Sequence, residues 1–469
     1  MILHQQDTRR SGTGERKRKM TLRDVQQRVD QLNQSKQPLV FAQLLEEEGI
    51  TQILQQLQPA GRRRVYPPEV TLAAFLGQAI SEDGSCQQAV HRVNSHRCAQ
   101  GLPPASVETT SYCEARQRLP EELFLQLLQR SAKMVEQRQP ASWLWKERRV
   151  VLVDGCVSRA ADTPENQEAY PQPSTQAAGV GFPQVRQLVA ISLSSAMVLD
   201  VQIGPTRGKR SGELNLFRRM LPAFRRGDVV VADANFDSFP DIATLKQRGV
   251  DFVAAIAGSR TSAFAGKCHC VEEKRVRMKR HHFDKARITR DKWESLPKYI
   301  HVRMIRYRTD TRCEEITIVT TLLDRARYPA EAIAQLYGMR WNCELDIRSI
   351  KSVMGMDELR CKTPEMLRRE IYNYLLAYNL VRAAISDAAR VTDQQPRRLS
   401  FKNALQSIVE YASLTHPSPR ATATLLWSIA NNQVGKRPGR KEPRKIKHRK
   451  CKYEKMTRPR SEEKAALNT

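Results

Sequence analysis

The spacing of hydrophobic positions changes character along the chain. From about Leu22 to Gln139 they recur at helical intervals: Val25, Val29 and Leu32, then Ile53, Leu54 and Leu57, then Leu72, Phe75, Leu76 and Ile80. Apolar residues three and four apart line one face of a 3.6-residue helix, so this stretch predicts several short helices. Ser85 reads as the N-cap of a helix through Val90 and Val93, and Thr109 to Leu119 as another that stops before Pro120-Glu121 opens the next. After Lys146 the pattern becomes that of strands. Val150 to Val153 is a buried run ending at Asp154-Gly155, and Gln187–Leu193 and Ala196–Ile203 read as two strands about a Ser194-Ser195 turn. A helix over Ser211–Leu221, a strand over Asp228–Ala232 ending at Asp233, a helix over Phe239–Arg248 and a strand over Val250–Ala257 follow. That order predicts an α/β fold with a mixed five-stranded sheet flanked by helices.

Gly258 to Asp324 interrupts the scheme. Lys274–Arg280 is basic, while Ile300, Val302 and Met304 alternate with polar positions, so a β-rich insertion is expected here. Helical spacing returns over Pro329–Met354 and Pro364–Ala389. The expected organisation is a basic N-terminal arm (1–20), an all-α domain (21–140), the first part of the α/β core (141–257), the insertion (258–325), the second part of the core (326–425) and a basic tail (426–469).

Composition adds a partner. The 469 residues carry 78 Lys and Arg against 50 Asp and Glu, a formal charge of +28, and 40% hydrophobic content is enough to bury real cores. Chain-wide disorder is excluded. The most apolar stretch, Leu188–Ile203, is broken by Ser192, Ser194, Ser195 and Asp200, so no membrane span is expected. The first twenty residues lack the apolar core of a signal peptide, and ten cysteines without regular spacing suit reduced thiols in a cytoplasmic protein. Such a balance points to a polyanion. Between Val434 and Arg460, thirteen lysines and arginines face two glutamates, with Pro438, Pro443 and Pro459 among them, which predicts a disordered tail. The helical domain reads as a DNA-contacting unit or as a cap packed on its neighbour.

Candidate chemistry sits at the ends of two apolar runs. Asp154 follows Val150–Val153 and Asp233 follows Val229–Ala232, and a carboxylate just past a buried parallel strand reaches the crevice where ligands bind in open α/β sheets. Either one alone is ordinarily a turn or capping residue. Two carboxylates forced together repel unless a cation lies between them, which in a basic protein favours a Mg²⁺ site. On the helix around Glu344, Tyr337, Arg340, Glu344 and Lys351 fall within a strip of roughly 60° at 100° per residue, beside the apolar stripe of Leu336, Met339, Cys343, Ile347, Ile350 and Met354. That strip suits a third metal ligand flanked by phosphate-gripping groups, and equally a solvated face with an i,i+4 pair of Arg340 with Glu344.

The spacing Tyr337-x2-Arg340-x3-Glu344-x6-Lys351, with Asp154-Gly155, Asp233-Ala234-Asn235-Phe236 and the block Thr110–Pro120, resembles the IS4 family of DDE transposases over roughly residues 20–425. The resemblance implies an RNase H-like core with a β-rich insertion before the third acidic residue. It implies that Asp154, Asp233 and Glu344 are catalytic and hold two Mg²⁺ ions, with Mn²⁺ able to substitute, and that Tyr337, Arg340 and Lys351 contact DNA phosphates. It further implies Mg-dependent cleavage and strand transfer at terminal inverted repeats of double-stranded DNA, by a homodimer in a synaptic complex. Trp293 is the candidate for stacking on a flipped base. The alternatives are a non-catalytic DNA-binding remnant or repressor, and an RNase H-like nuclease without strand transfer.

Other signals are weaker. Cys268-His269-Cys270 with His281-His282 has a cysteine spacing tighter than structural zinc sites use. Gly204–Gly212, with Arg207, Lys209 and Arg210, lacks the full phosphate-loop pattern, and Glu213 suits a helix N-terminus.

Overall fold

In the computed structural model the described residues are 20–34, 39–45, 47–57, 65–208, 211–256, 270–280, 288–308, 315–412, 418–435 and 456–467, with Phe264, Cys268, His282 and Phe283. The N-terminal arm, most of the basic tail, Lys209, Arg210, His269 and His281 lie outside them.

Seven helices lead: α1 (Leu22–Gln34), α2 (Val40–Leu45), α3 (Glu47–Leu57), α4 (Pro68–Ile80), α5 (Cys86–Ala99), α6 (Thr110–Arg118) and α7 (Glu121–Arg138). Ser85 caps α5 by accepting from the Gln88 N–H, as its position predicts. Strands β1 (Val150–Arg159), β2 (Gln184–Ser192) and β3 (Val198–Pro205) follow, with the short α8 (Pro164–Ala169) between the first two. Then come α9 (Glu213–Met220), β4 (Val229–Ala232), α10 (Phe239–Gln247) and β5 (Asp251–Ala255).

These five strands lie in the order β3-β2-β1-β4-β5, with β1, β4 and β5 parallel and β2 and β3 antiparallel. That is the mixed sheet the alternation of elements predicts. The insertion contributes β6 (Glu272–Lys279), α11 (Arg290–Ser295), β7 (Tyr299–Arg308) and β8 (Glu315–Thr320). Its strands prolong the same sheet: β8 pairs antiparallel with β5, and β7 and β6 follow outward, giving eight strands. An unpaired β5 edge offers a row of backbone donors and acceptors, and the insertion satisfies them.

Alternate residues of the strands feed two cores. Val150, Leu152, Val229 and Val231 point into a large cluster with the C-terminal helices, while Val151, Val153, Val230 and Ala232 meet Leu216, Phe217 and Met220 of α9 and Ile242 and Leu245 of α10. The sheet is thus covered on both faces.

The C-terminal elements are α12 (Ala330–Gly338), α13 (Trp341–Arg348), a π-turn at Ser349–Val353, then α14 (Pro364–Val391), α15 (Phe401–Tyr411), α16 (Pro419–Asn431) and α17 (Arg460–Leu467). The single helix expected over Pro329–Met354 is therefore broken. At the break the Arg340 N–H bonds to Tyr337 O at 3.0 Å, a tightening by one residue between α12 and α13. α17 places a helix at the end of the basic tail, just past the Lys- and Arg-rich stretch from which disorder is expected. Val25 and Val29 of α1, Leu72 and Phe75 of α4, and Leu123 and Phe124 of α7 belong to the same cluster as Leu375, Leu376 and Tyr378 of α14. The helical layer shares its core with α14.

Candidate active site

β1 outlasts its parallel partner. It pairs with β4 from Val150↔Val229 to Leu152↔Val231, and continued by two residues that register sets Asp154 beside Asp233. β4 ends at Ala232, whereas β1 runs on to Arg159 along β2, with Asp154 opposite Val189. Asp154 therefore lies within a strand rather than at its end. The crevice opens because β4 stops there. Since side chains alternate, Asp154 and Asp233 project on the face of Val150, Leu152, Val229 and Val231, the face that α13 covers.

Asp233 is turned by its own loop. Its side chain accepts from the Asn235 N–H at 2.8 Å and from Asn235 Nδ2 at 3.3 Å, capping a short 3₁₀ turn. α13 packs on β1, with Cys343 and Ile347 in the core, and brings Glu344 close enough for its charge, like that of Asp233, to reach the Asp154 carboxyl. Arg340 joins them: its guanidinium donates to Glu344 Oε1 at 3.0 Å and reaches Asp154 Oδ2 at 3.4 Å. The i,i+4 pair of the second reading is formed, and the same guanidinium also crosses to the strand.

Burial pushes the Asp154 carboxyl up to about 6, and the charges of Asp233 and Glu344 push the same way, against Arg340 and the Gly155 N–H. One guanidinium does not offset three carboxylates. Among the described residues no three His, Cys, Asp or Glu side chains are drawn tightly enough to hold a metal as they stand. The donor set nevertheless fits a hard divalent cation, because it is all carboxylate oxygen and carries uncompensated negative charge that now borrows an arginine.

The Tyr337 hydroxyl bonds to Arg340 and lies close enough to Asp233 to feel its charge, and burial raises its pKa. Lys351, in the π-turn, donates to Val157 O at 2.7 Å and pairs with Asp357 at 2.9 Å, which ties the turn to β1 three residues beyond Asp154. Glu213 rests against Gly155, where an added Cβ would lie 2.7 Å from its Oε1, and pairs with Arg186 at 3.3 Å. Because α9 packs into the second core, Glu213 belongs to the opposite face from the aspartates. Trp293 does not join the site. It is buried in that second core, 7% exposed, with Phe283 and the Arg280 guanidinium against its ring, so its ring is unavailable for stacking on a base.

Sequence reasoning missed a second ionic cluster on α13. Asp346 is buried and pairs with Arg382 of α14 at 2.8 Å and with Arg397 at 2.9 Å. Its signal was present: it lies about 200° around the helix from Glu344, beside the apolar stripe, where an acid requires a buried cation.

An RNase H-like sheet with acidic residues gathered where its parallel strands diverge defines a class of enzymes that work on nucleic-acid phosphodiesters. The family model described as the transposase DDE domain matches residues 145–380, and the chain belongs to that family. It is 27% identical over 406 residues to the transposase InsG of insertion sequence element IS4 from Escherichia coli (strain K12), covering 84% of this chain and 88% of the relative. It is also 38% identical over 64 residues to the transposase of insertion sequence element IS421 from Escherichia coli, 14% of this chain and 17% of that one. Among solved structures, the piggyBac transposase synaptic complex with hairpin DNA aligns over 86% of each chain with a TM-score of 0.44 and 11% identity. The protein is an insertion-sequence transposase of the IS4 type, an enzyme that cleaves DNA and transfers strands, in a family that uses divalent metal ions. Among the described residues no helix is long and apolar enough to cross a membrane.

Proposed function

We propose that Asp154, Asp233 and Glu344 are the catalytic metal ligands of a Mg²⁺-dependent cut-and-paste transposition, acting at the element's terminal inverted repeats in the cytoplasm. The observation that carries this is the alignment of Asp154 with Asp233 on neighbouring strands, with Glu344 and Arg340 laid over them. Two Mg²⁺ ions bound there would supply the charge that activates an attacking water or DNA 3′-hydroxyl and stabilises the leaving oxygen. The chain's own residues do the positioning. Arg340, now shared between Asp154 and Glu344, would be available to a DNA phosphate once the acidic charge is neutralised, with the Tyr337 hydroxyl bonded to it beside the same phosphate. Lys351 holds the π-turn against β1 and presents its ammonium to the same backbone. A homodimer brings two element ends together.

The test is labelled linear DNA carrying the element's terminal repeats, incubated with the protein and either Mg²⁺ or EDTA. Nicking and joining that require Mg²⁺, and that Asp233→Ala abolishes while DNA binding persists, are the expected result. Binding without nicking would leave a repressor-like remnant, and nicking without joining a nuclease. The basic tail supplies salt-dependent attraction. Gln433 bridges to Leu399 and the Val434 N–H bonds to Arg398 O at 2.8 Å, so the tail is best removed after Gly435. Truncation there leaves cleavage intact at low salt and flattens the salt dependence of binding by roughly 0.9 in logarithmic slope for each phosphate that the tail had neutralised.

A further inference from the structure

Away from the carboxylates, α4, α5 and α6 and the segment leading into α14 enclose a cavity of about 500 Å³ lined by Cys86, Cys113, Arg116 and Cys361, among others. Cys86 is the first residue of α5 and Cys113 lies one turn before Arg116 on α6. The two sulfurs are 3.8 Å apart, and Arg116 Nη2 donates to both, at 3.3 Å to Cys86 and 3.6 Å to Cys113. The guanidinium is held in place by the rings of Phe75 and Tyr112, 5.0 Å and 5.1 Å away, and by Gln78 Oε1 at 3.4 Å. No carboxylate among the described residues is within ion-pair distance of it; the sulfurs are in direct contact with it, while the buried Glu370, also in the cavity lining, acts on it from farther off. Nothing in the transposition chemistry uses this cluster.

We propose that Cys113 and Cys86 form a peroxide-reactive dithiol site, Cys113 attacking and Cys86 resolving, which closes a disulfide between α5 and α6. In the first step the Cys113 thiolate attacks a peroxide oxygen: an S–O bond forms, the O–O bond breaks, and hydroxide leaves and takes up a proton as water. In the second, Cys86 loses its proton and attacks the sulfenic sulfur: the S–S bond forms and the S–O bond breaks, releasing a second water. Two thiols are oxidised by two electrons and hydrogen peroxide is reduced to two waters. The sulfurs need only close from 3.8 Å to about 2.0 Å, a side-chain rotation at the start of a helix.

Three features assign the roles. The contact between the two sulfurs and the charge of Arg116 pull the Cys113 thiol down, while the same contact and burial push Cys86 up. Cys361, although it lines the cavity, is held protonated by burial and by Glu370. The cavity admits a molecule the size of peroxide to both reacting sulfurs.

The experiment uses the full, reduced chain at pH 5.5, where ordinary thiols are almost wholly protonated. A lowered thiol keeps more of its thiolate there, a gain partly offset by its weaker intrinsic nucleophilicity, so iodoacetamide should alkylate Cys113 at least several-fold faster than exposed Cys98. Peptide mapping after hydrogen peroxide should find a Cys86–Cys113 bridge, reversed by dithiothreitol. In Cys86→Ser the oxidation should stop at a sulfenic acid on Cys113 that dimedone traps. Arg116→Gln should abolish the rate advantage and Arg116→Lys restore most of it, with melting curves showing each variant folded. Alkylation of Cys113 no faster than Cys98, a bridge to a different cysteine, or sulfinic acid on Cys113 with Cys86 still free would each overturn the proposal.

Discussion

Two carboxylates two residues apart on α13 meet opposite surroundings. Asp346 is buried against α14 and answers to two guanidiniums, Arg382 and Arg397, the first also bonded to the Tyr378 hydroxyl at 2.8 Å and the second to the carbonyls of Ser192 and Leu193. Glu344, a third exposed, shares one guanidinium with Asp154 and looks toward Asp233. On the first side positive charge exceeds negative and every partner is fixed, so α13 is clamped. On the second side negative charge exceeds positive and the arginine is borrowed. A charge cluster with its counter-ions built in is part of the scaffold, and one left short of them is a place for something that arrives from outside.

Substitutions can break this contrast. The largest effect belongs to Glu344→Gln, which should remove several kcal/mol of transition-state stabilisation, on the order of 10³-fold in nicking rate, with DNA binding and melting temperature little changed. Full activity in that variant would overturn the assignment. Asp346→Ala should do the reverse: leaving Arg382 buried without an anionic partner costs about 3–5 kcal/mol, read as a lower urea midpoint, and nicking is lost only as the fold is lost. An Asp346→Ala protein that stays fully stable but cannot cut would place both acids in one machine.

Asp154→Asn comes next. Raised from 3.8 to about 6, the Asp154 carboxylate costs the metal-free fold at most about 3 kcal/mol, somewhat less after solvent screening, so the amide should raise the melting temperature while abolishing cleavage. The sign follows from linkage. A folded state that holds its proton more tightly than the unfolded chain is favoured by this group below pH 3.8 and loses that stabilisation as pH rises through about 6. The gap between variant and parent is therefore full above about pH 6 and closes toward pH 4. The smallest signal sharpens the same point: Mg²⁺ should stabilise the parent protein against heat by mass action and leave Asp154→Asn much less affected.

Much of this was legible in the residues. Val150–Val153 and Val229–Ala232 are strands because nothing else accommodates such short, doubly buried β-branched runs, and the acids behind them marked the crevice. The strip of Tyr337, Arg340 and Glu344 survives the break at Met339, because a one-residue tightening turns the wheel without reversing it. Other features depend on distant pairings that leave no local trace. β1 continues past Asp154 through Gly155-Cys156-Val157-Ser158-Arg159, with no apolar run to announce it, because β2 supplies its hydrogen bonds, and the insertion joins the main sheet through Ala255↔Ile318, 63 positions apart. Trp293 offered an aromatic residue in the expected region, and only packing shows that its ring is covered. The cap helices were visible as helices, but their apolar faces do not say what they lie against.

That last point bears on how the protein is made. α14 is a 28-residue helix, most of it buried, and α1, α2, α4 and α7 all pack on it although it lies some 230 residues beyond the last of them. On the ribosome the cap cannot bury Val25, Leu72, Phe75 or Phe124 until synthesis has passed Val391, so folding of the N-terminal third waits on the C-terminal third. Chains cut short before α14 keep only the small cluster of Tyr66, Val90, Val93 and Tyr112 and leave the faces of α1, α4 and α7 without their cover, which favours proteolysis. A premature stop codon in an element thereby removes more of its transposase than the missing residues alone.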